Sequence, residues 1–214
     1  MPPPARGPYD IAEAPSEVER LDLGSLQIPA TADVEIRVQA NNEGIVQQVV
    51  LVNGDNALQL GVFAAPRSEG IWDEVREEIR KSLFGEGVAA EETEGEYGVE
   101  LRARVRTGDG LTDLRFIGID GPRWMVRGVF QGPAATDPSQ AGRLVEVLHG
   151  LVVDRGQEAK PVREPLPLRL PKDAADSVSA QQAAEPAPPE VAPPSNGAAP
   201  GGPAPRRRPS PRPR

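Results

Sequence analysis

After Pro171 the chain loses the apolar residues that a folded core requires. Residues 172–214 contain no Leu, Ile, Phe, Tyr, Trp or Met, and their only large aliphatic residues are Val178 and Val191. Such a composition cannot bury enough apolar surface to offset the conformational entropy that folding removes. We therefore predict a disordered Pro/Ala-rich tail over residues 172–214 and a folded part that ends before it.

The residues before the tail fit one domain. Residues 31–171 carry regular apolar patterns and have an ordinary single-domain length. Residues 1–30 are Pro-rich and poorly periodic, so we expect an extended lead-in over the surface, with residues 22–26 peripheral and order beginning near Asp33. No stretch approaches the roughly 20 apolar residues of a membrane helix, and the N-terminus lacks the apolar region of a signal peptide. We expect no membrane span and a cytoplasmic location.

Charge and cysteine content limit the chemistry. There is no cysteine, which excludes disulfides and thiolate chemistry. The net charge of -8 divides into -10 for residues 1–171 and +2 for the tail. The tail either solubilises the protein or binds polyanions weakly and without specificity. Its basic end consists of Arg206, Arg207, Arg208, Arg212 and Arg214.

The first half of the domain shows three strand patterns and one helix pattern. Apolar residues alternate at positions 34–38 and 58–64 around a third apolar run at 45–52, and Asn53-Gly54-Asp55-Asn56 is typical of a hairpin turn. After Ser68, a helix N-cap candidate, four apolar residues follow at four-residue steps, with Gly85 as the expected C-cap. These four residues are Ile71, Val75, Ile79 and Leu83.

The acidic stretch at residues 86–96 has two interpretations. It lacks the spaced Asp/Asn ladder and the terminal Glu of a calcium loop, which disfavours a metal site. A flexible or edge-strand segment is the better prediction. The alternation that follows at residues 97–106 places apolar side chains on one strand face and Glu and Arg on the other, so we expect one face in the core and one in water.

The second half continues with two more strands and a helix. Residues 114–119 and 124–130 are separated by a turn at residues 120–122. Asp137-Pro138-Ser139-Gln140 resembles a capping box with Pro at the first helical position, and an apolar stripe over residues 144–151 follows it. We predict an α+β fold with a mainly antiparallel sheet of about six or seven strands, in βββαβββα order, and two packed helices. The Pro/Leu segment at residues 162–171 is expected to cross a groove or a sheet edge, or to be a surface linker.

Three segments together carry a resemblance to a known protein family. They begin at Ala64-Ala65-Pro66-Arg67, at Phe116-Ile117-Gly118-Ile119-Asp120-Gly121-Pro122-Arg123-Trp124 and at Arg127-Gly128-Val129-Phe130. With Ala5-Arg6-Gly7-Pro8, Leu21-Asp22-Leu23-Gly24 and Pro165-Leu166-Pro167-Leu168-Arg169-Leu170-Pro171, they resemble an uncharacterised actinobacterial family, the domain of unknown function 3710. The resemblance spans nearly the whole folded part. It implies no activity, because the family has none established.

The common catalytic templates are not matched. His149 is the only histidine, and no nucleophile elbow, phosphate loop or dinucleotide fingerprint is present. We therefore assign no catalytic, metal or cofactor-binding residue. Specific nucleic-acid binding is disfavoured, because the aromatic residues that would stack on bases are expected in the core. These are Trp72, Phe116, Trp124 and Phe130.

Six arginines form the candidate partner-binding site. Their forked guanidinium groups match carboxylates and phosphates, although an ordinary solvated sheet face with cross-strand ion pairs is sufficient to explain them and is the default interpretation. We expect a non-enzymatic adaptor that binds a protein partner. The alternative is a hydrolase or transferase that uses carboxylates and arginines in a cleft. The six are Arg102, Arg104, Arg106, Arg115, Arg123 and Arg127.

Overall fold

The computed structural model describes residues 6–108 and 110–170. It confirms the α+β fold, in which a large antiparallel sheet has seven strands. These are β4 (Glu35–Ala40), β5 (Val46–Asn53), β6 (Asn56–Ala64), β7 (Ala90–Gly95), β8 (Gly98–Thr107), β9 (Gly110–Gly121) and β10 (Trp124–Gln131). Their spatial order is β4-β5-β6-β10-β9-β8-β7. The predicted tail lies outside the described residues.

The predicted strand boundaries and hairpins are largely confirmed. β5 and β6 meet at the pair Asn53 and Asn56, which leaves Gly54 and Asp55 as the two-residue turn that the Asn-Gly sequence predicts. β8, β9 and β10 form a continuous antiparallel meander. The acidic stretch supplies β7, which lies at one edge of the sheet and pairs with β8, so the edge-strand interpretation is confirmed.

A second, four-stranded sheet was not predicted. Its very short strands are β1 (Tyr9–Asp10), β2 (Arg20–Asp22), β3 (Leu26–Pro29) and β11 (Val152–Val153), in the order β1-β11-β3-β2. Three of them come from the segment predicted as an extended lead-in, and Leu23, Leu26 and Ile28 are completely buried. The peripheral position expected for residues 22–26 was therefore wrong, because isolated apolar residues gain their burial from a sheet that no local pattern shows.

Helix α1 (Trp72–Gly85) covers one face of the large sheet. Trp72 lies directly over Gly118 of β9, where a Cβ atom would come within 2.0 Å of the indole Cδ2, so only glycine allows this approach. The predicted cap at Ser68 was wrong. Asp120 of β9 instead accepts hydrogen bonds from the backbone N–H groups of Ile71 (2.8 Å) and Trp72 (3.3 Å).

The opposite face of the sheet carries the main core. There the small sheet packs with α2 (Pro133–Thr136), a 3-10 helix (Pro138–Ala141) and α3 (Arg143–Gly150). Asp137 caps the 3-10 helix as predicted, since its side chain accepts from the Ser139 N–H at 3.0 Å. The chain then turns at Gly142 before α3 begins, so the predicted single helix is two. Buried residues of this core include Leu51, Leu58, Trp124, Phe130, Leu144 and Leu151.

Residues 162–170, which we name the C-terminal strap, enter a gap in the large sheet. The β5–β6 pairing extends no further than Val49 and Leu60 in this direction. Beyond it, the Leu166 N–H donates to the Val62 carbonyl (2.9 Å) and the Val46 N–H donates to the Leu168 carbonyl (2.8 Å). The strap therefore bridges β5 and β6, which agrees with the prediction that this segment crosses a groove.

In the described ranges, no helix is long and apolar enough to cross a membrane. Over the same residues, no three His, Asp or Glu side chains converge to hold a metal ion.

Candidate functional site

The structure separates the six predicted arginines. Side chains alternate between sheet faces, and Arg102 pairs with Arg115 while Arg104 pairs with Asp113, so Arg102, Arg104, Arg106 and Arg115 share one face. This is the face that carries the main core further along the sheet. Arg127 pairs with Gly118, beneath Trp72, and lies on the opposite face with α1.

Arg115 is buried and its guanidinium group contacts other residues of the protein. Its Nη1 donates to Glu100 Oε2 at 3.1 Å, its Nε donates to the Ala134 carbonyl at 2.9 Å, and its guanidinium carbon lies 4.2 Å from the centre of the Phe130 ring. Glu100 and Arg115 side chains are each 5% exposed. Glu100 packs so closely under β7 that a Cβ atom on Gly95 would lie 2.0 Å from its Oε1. The expectation of a fully wet polar face was wrong at this end of the strand.

The outer part of the same face is solvated. Arg104 forms a two-pronged pair with Asp113 (2.7 and 3.0 Å), which lowers the pKa of the Asp113 carboxyl. Arg106 is exposed, and the residue opposite it on β9 is Leu111, a leucine that is 64% exposed. An apolar side chain therefore lies among the exposed cations.

Arg102 lies between these two environments, in a cleft of about 470 Å³ that we name the β8 cleft. Its walls come from β7, β8, β9 and the end of α2. Arg102 Nη1 donates to the Thr136 carbonyl at 3.1 Å. Its Nε is shielded from solvent and has no hydrogen-bond partner among the described residues. The charged residues at the cleft are Glu91, Arg102, Arg104 and Asp113.

The other two predicted arginines lie elsewhere. Arg127 stacks over the Phe63 ring at 5.0 Å, and burial lowers the pKa of its guanidinium. Arg123 occupies the β9–β10 turn with a left-handed backbone (φ 68°). The six arginines therefore do not form the single patch expected from the sequence. The arginines that share an accessible surface are Arg102, Arg104 and Arg106, which we name the arginine face.

A second cleft, of about 490 Å³, lies among loops near β2 and β11, and we name it the loop cleft. Arg155 at its wall is 8% exposed, and Lys160 has a side chain that is 19% exposed. Neither residue was predicted from the sequence. Their only local signal is that Arg155 comes two residues after the apolar run at 151–153, and a lone basic residue in that position has no specific meaning.

His149 belongs to a small polar cluster at the end of α3. Its Nε2 lies 2.8 Å from Glu96 Oε1, and Arg6 Nη1 lies 2.6 Å from the same oxygen. The neighbouring Tyr97 hydroxyl donates to the Gly7 carbonyl at 2.8 Å, and burial raises the pKa of this phenol. These contacts join the N-terminal segment to α3 and the β7–β8 turn. The residues of this cluster line neither the β8 cleft nor the loop cleft.

Comparison with known proteins shows the family. The family model described as "Protein of unknown function (DUF3710)" matches residues 7–177, and the chain belongs to this family. Its actinobacterial distribution stays a prediction. No curated protein matches the chain. Among solved structures, the chain is similar to the solution structure of cyanobacterial PsbP (CyanoP) from Synechocystis sp. PCC 6803, with 12% identity over 65% of this chain and 94% of that one, at a TM-score of 0.39.

Proposed function

We propose that the domain is a non-enzymatic binding module that engages a protein partner through the arginine face and the β8 cleft. The observation that carries the proposal is the position of Arg102 in the wall of the β8 cleft, on the same sheet face as the exposed Arg104 and Arg106. Three guanidinium groups on one accessible surface favour a carboxylate of the partner, because the guanidinium fork binds a carboxylate through two parallel hydrogen bonds.

The surroundings of Arg102 indicate the chemistry of the partner. The Arg104–Asp113 pair is exposed, and exposed pairs contribute little to stability, so Asp113 is readily exchanged for a carboxylate of the partner. Arg106 adds a positive charge, and Leu111 adds an exposed apolar contact. The partner surface is therefore expected to combine acidic residues with an apolar one.

The alternative, a hydrolase or transferase, requires a buried carboxylate that faces a cleft. In the described part of the chain, Glu100 is the buried carboxylate. It is held by Arg115 and packed under Gly95, and it does not line the β8 cleft or the loop cleft. This arrangement favours the binding module. A cytoplasmic location and weak polyanion binding by the basic tail stay predictions.

The proposal is tested by affinity capture from lysate of the source organism with the full chain and a double variant, Arg104→Glu with Arg106→Glu. The matched control is Arg37→Glu on β4. Arg37 forms a two-pronged pair with Glu35 and has a side-chain exposure of 61%, compared with 62% for Arg104. We expect one stoichiometric protein that the wild type and Arg37→Glu retain and that the double variant loses.

Salt must be equal in every capture, because charge-driven retention by the tail depends on ionic strength. If the double variant retains the partner as strongly as the Arg37→Glu control does, the arginine face does not take part in the interaction. If the wild type captures no stoichiometric protein, the binding-module proposal itself is wrong.

A further inference from the structure

We infer that the loop cleft is a binding site for a phosphate group carried by a small, hydroxyl-bearing molecule. The loop cleft does not include any residue of the arginine face. The inference is therefore independent of partner binding, and either can fail without the other.

The first support is the environment of Arg155. Its Nε donates to the Arg123 carbonyl (3.2 Å) and its Nη1 donates to the Glu158 carbonyl (2.9 Å), so the guanidinium is held in place by the backbone. Within the described residues, no carboxylate forms an ion pair with Arg155. A guanidinium that is 8% exposed and lacks a counter-charge is costly, and a bound anion would supply that charge.

The second support is Lys160, which lines the same cleft. Its ammonium nitrogen lies 3.8 Å from Glu158 and 3.7 Å from Glu164, distances longer than a hydrogen bond. Both carboxylates offset part of the charge of Lys160, but neither accepts a hydrogen bond from it, so its three N–H donors are available to a ligand. Arg169, an exposed residue of the C-terminal strap, brings a third positive charge to the cleft.

The acidic residues of the cleft indicate what else the ligand carries. Asp22 accepts from the Gly24 N–H (2.8 Å) and Asp154 from the Gly156 N–H (3.0 Å), so one oxygen of each carboxylate closes a tight turn. The second oxygen of each remains available to accept a hydrogen bond, and hydroxyl groups are suitable donors. The cleft is thus lined by three cations and by three carboxylates, those of Asp22, Asp154 and Glu158. The cations supply donors for the oxygens of a phosphate group, and the carboxylates can accept hydrogen bonds from hydroxyl groups of the same ligand. The volume of about 490 Å³ is in the range of small-molecule sites.

The test is an amide NMR titration of the full-length, isotope-labelled chain at constant ionic strength. The probes are inorganic phosphate and glycerol 3-phosphate, with glycerol as the uncharged control. We expect saturable shifts at the amides of Gly156 and Gln157, with tighter binding of glycerol 3-phosphate than of inorganic phosphate. Lys160→Gln should weaken binding about tenfold, because it removes one charge-assisted contact.

The matched control is Lys81→Gln, which removes an exposed lysine of α1 and should leave the affinity unchanged. Arg169→Gln provides a second variant at an exposed site in case replacement near Arg155 disturbs folding, and a thermal unfolding curve checks each variant. Shifts that do not saturate, or that are confined to the basic tail, would overturn the inference. Equal affinities of wild type and Lys160→Gln would also overturn it. If inorganic phosphate and glycerol 3-phosphate bind equally tightly, the inference that the ligand carries hydroxyl groups is wrong.

Discussion

Among the individual residues, the same types of side chain have opposite roles on one sheet face. Glu100 and Arg115 are a buried pair, whereas Arg104 and Asp113 are an exposed pair further along the same two strands. Water screens the outer pair, so it contributes little and can be exchanged. The inner pair must be kept intact, because removal of one partner leaves a buried charge uncompensated.

Replacement of Glu100 by Ala should therefore lower the free energy of unfolding by about 3–5 kcal/mol. Replacement of Asp113 by Ala, which removes the corresponding carboxylate of the exposed pair, should leave the stability nearly unchanged. Urea unfolding of both variants at neutral pH measures the difference. Equal losses in the two variants would contradict the distinction between the inner and outer pairs.

Among the secondary-structure elements, helix α1 begins where a distant strand caps it. The Asp120 carboxylate at the end of β9 accepts from two N–H groups of the first turn, and a Cβ atom on Gly70 would come within 2.4 Å of Asp120 Oδ2. Ser68 lies nearer in the sequence and has the preferred chemistry of a cap, but the helix starts after it. The cap of α1 is thus supplied by a residue about 50 positions away in the sequence.

Replacement of Asp120 by Ala should lower the free energy of unfolding by about 1 kcal/mol, the typical cost of a lost helix cap. Ser68→Ala is the control, and we expect a change within about 0.5 kcal/mol. Chemical denaturation measures both values, and amide hydrogen exchange at Ile71 and Trp72 locates the effect. A larger loss for Ser68→Ala than for Asp120→Ala would show that the local cap dominates.

In the molecule as a whole, the C-terminal strap holds the two sheets together. It bonds to β5 and β6 within the large sheet, and the Arg169 N–H donates to the Leu23 carbonyl beside the small sheet at 2.8 Å. Leu166 and Leu168 are buried in the main core between the sheets. The strap is therefore a structural part of the domain, and the loop cleft depends on it for Arg169.

Replacement of Leu168 by Ala should lower the free energy of unfolding by about 2–4 kcal/mol, the usual cost of a cavity in a core. Val162→Ala at the start of the strap is the control, because Val162 is 50% exposed and should change stability by less than about 0.5 kcal/mol. Thermal unfolding compares the two variants. A stability for Leu168→Ala equal to that of the control would mean that the strap does not support the core.

Local signals in the sequence were sufficient to predict the large sheet, its hairpins and the existence of α1. These signals are the alternation at 34–38, 58–64 and 97–105, an Asn-Gly turn at Gly54, and apolar steps of four from Ile71. Each signal acts over a few neighbouring residues, so no information about distant contacts is needed to predict the element.

The small sheet, the start of α1 and both clefts depend instead on contacts between distant parts of the chain. Leu23, Arg102 and Arg155 show the reason. A strand of two or three residues has too little periodicity to predict, and whether an arginine is paired depends on carboxylates and carbonyls that are far away in the chain. Alternation along β8 placed Arg102, Arg104 and Arg106 on one face, but the pairing between strands decided the positions of the other three arginines. Arg115 lies on the same face, Arg127 lies on the opposite face and Arg123 lies in a turn, because a shift of one position moves a side chain to the other side of a sheet.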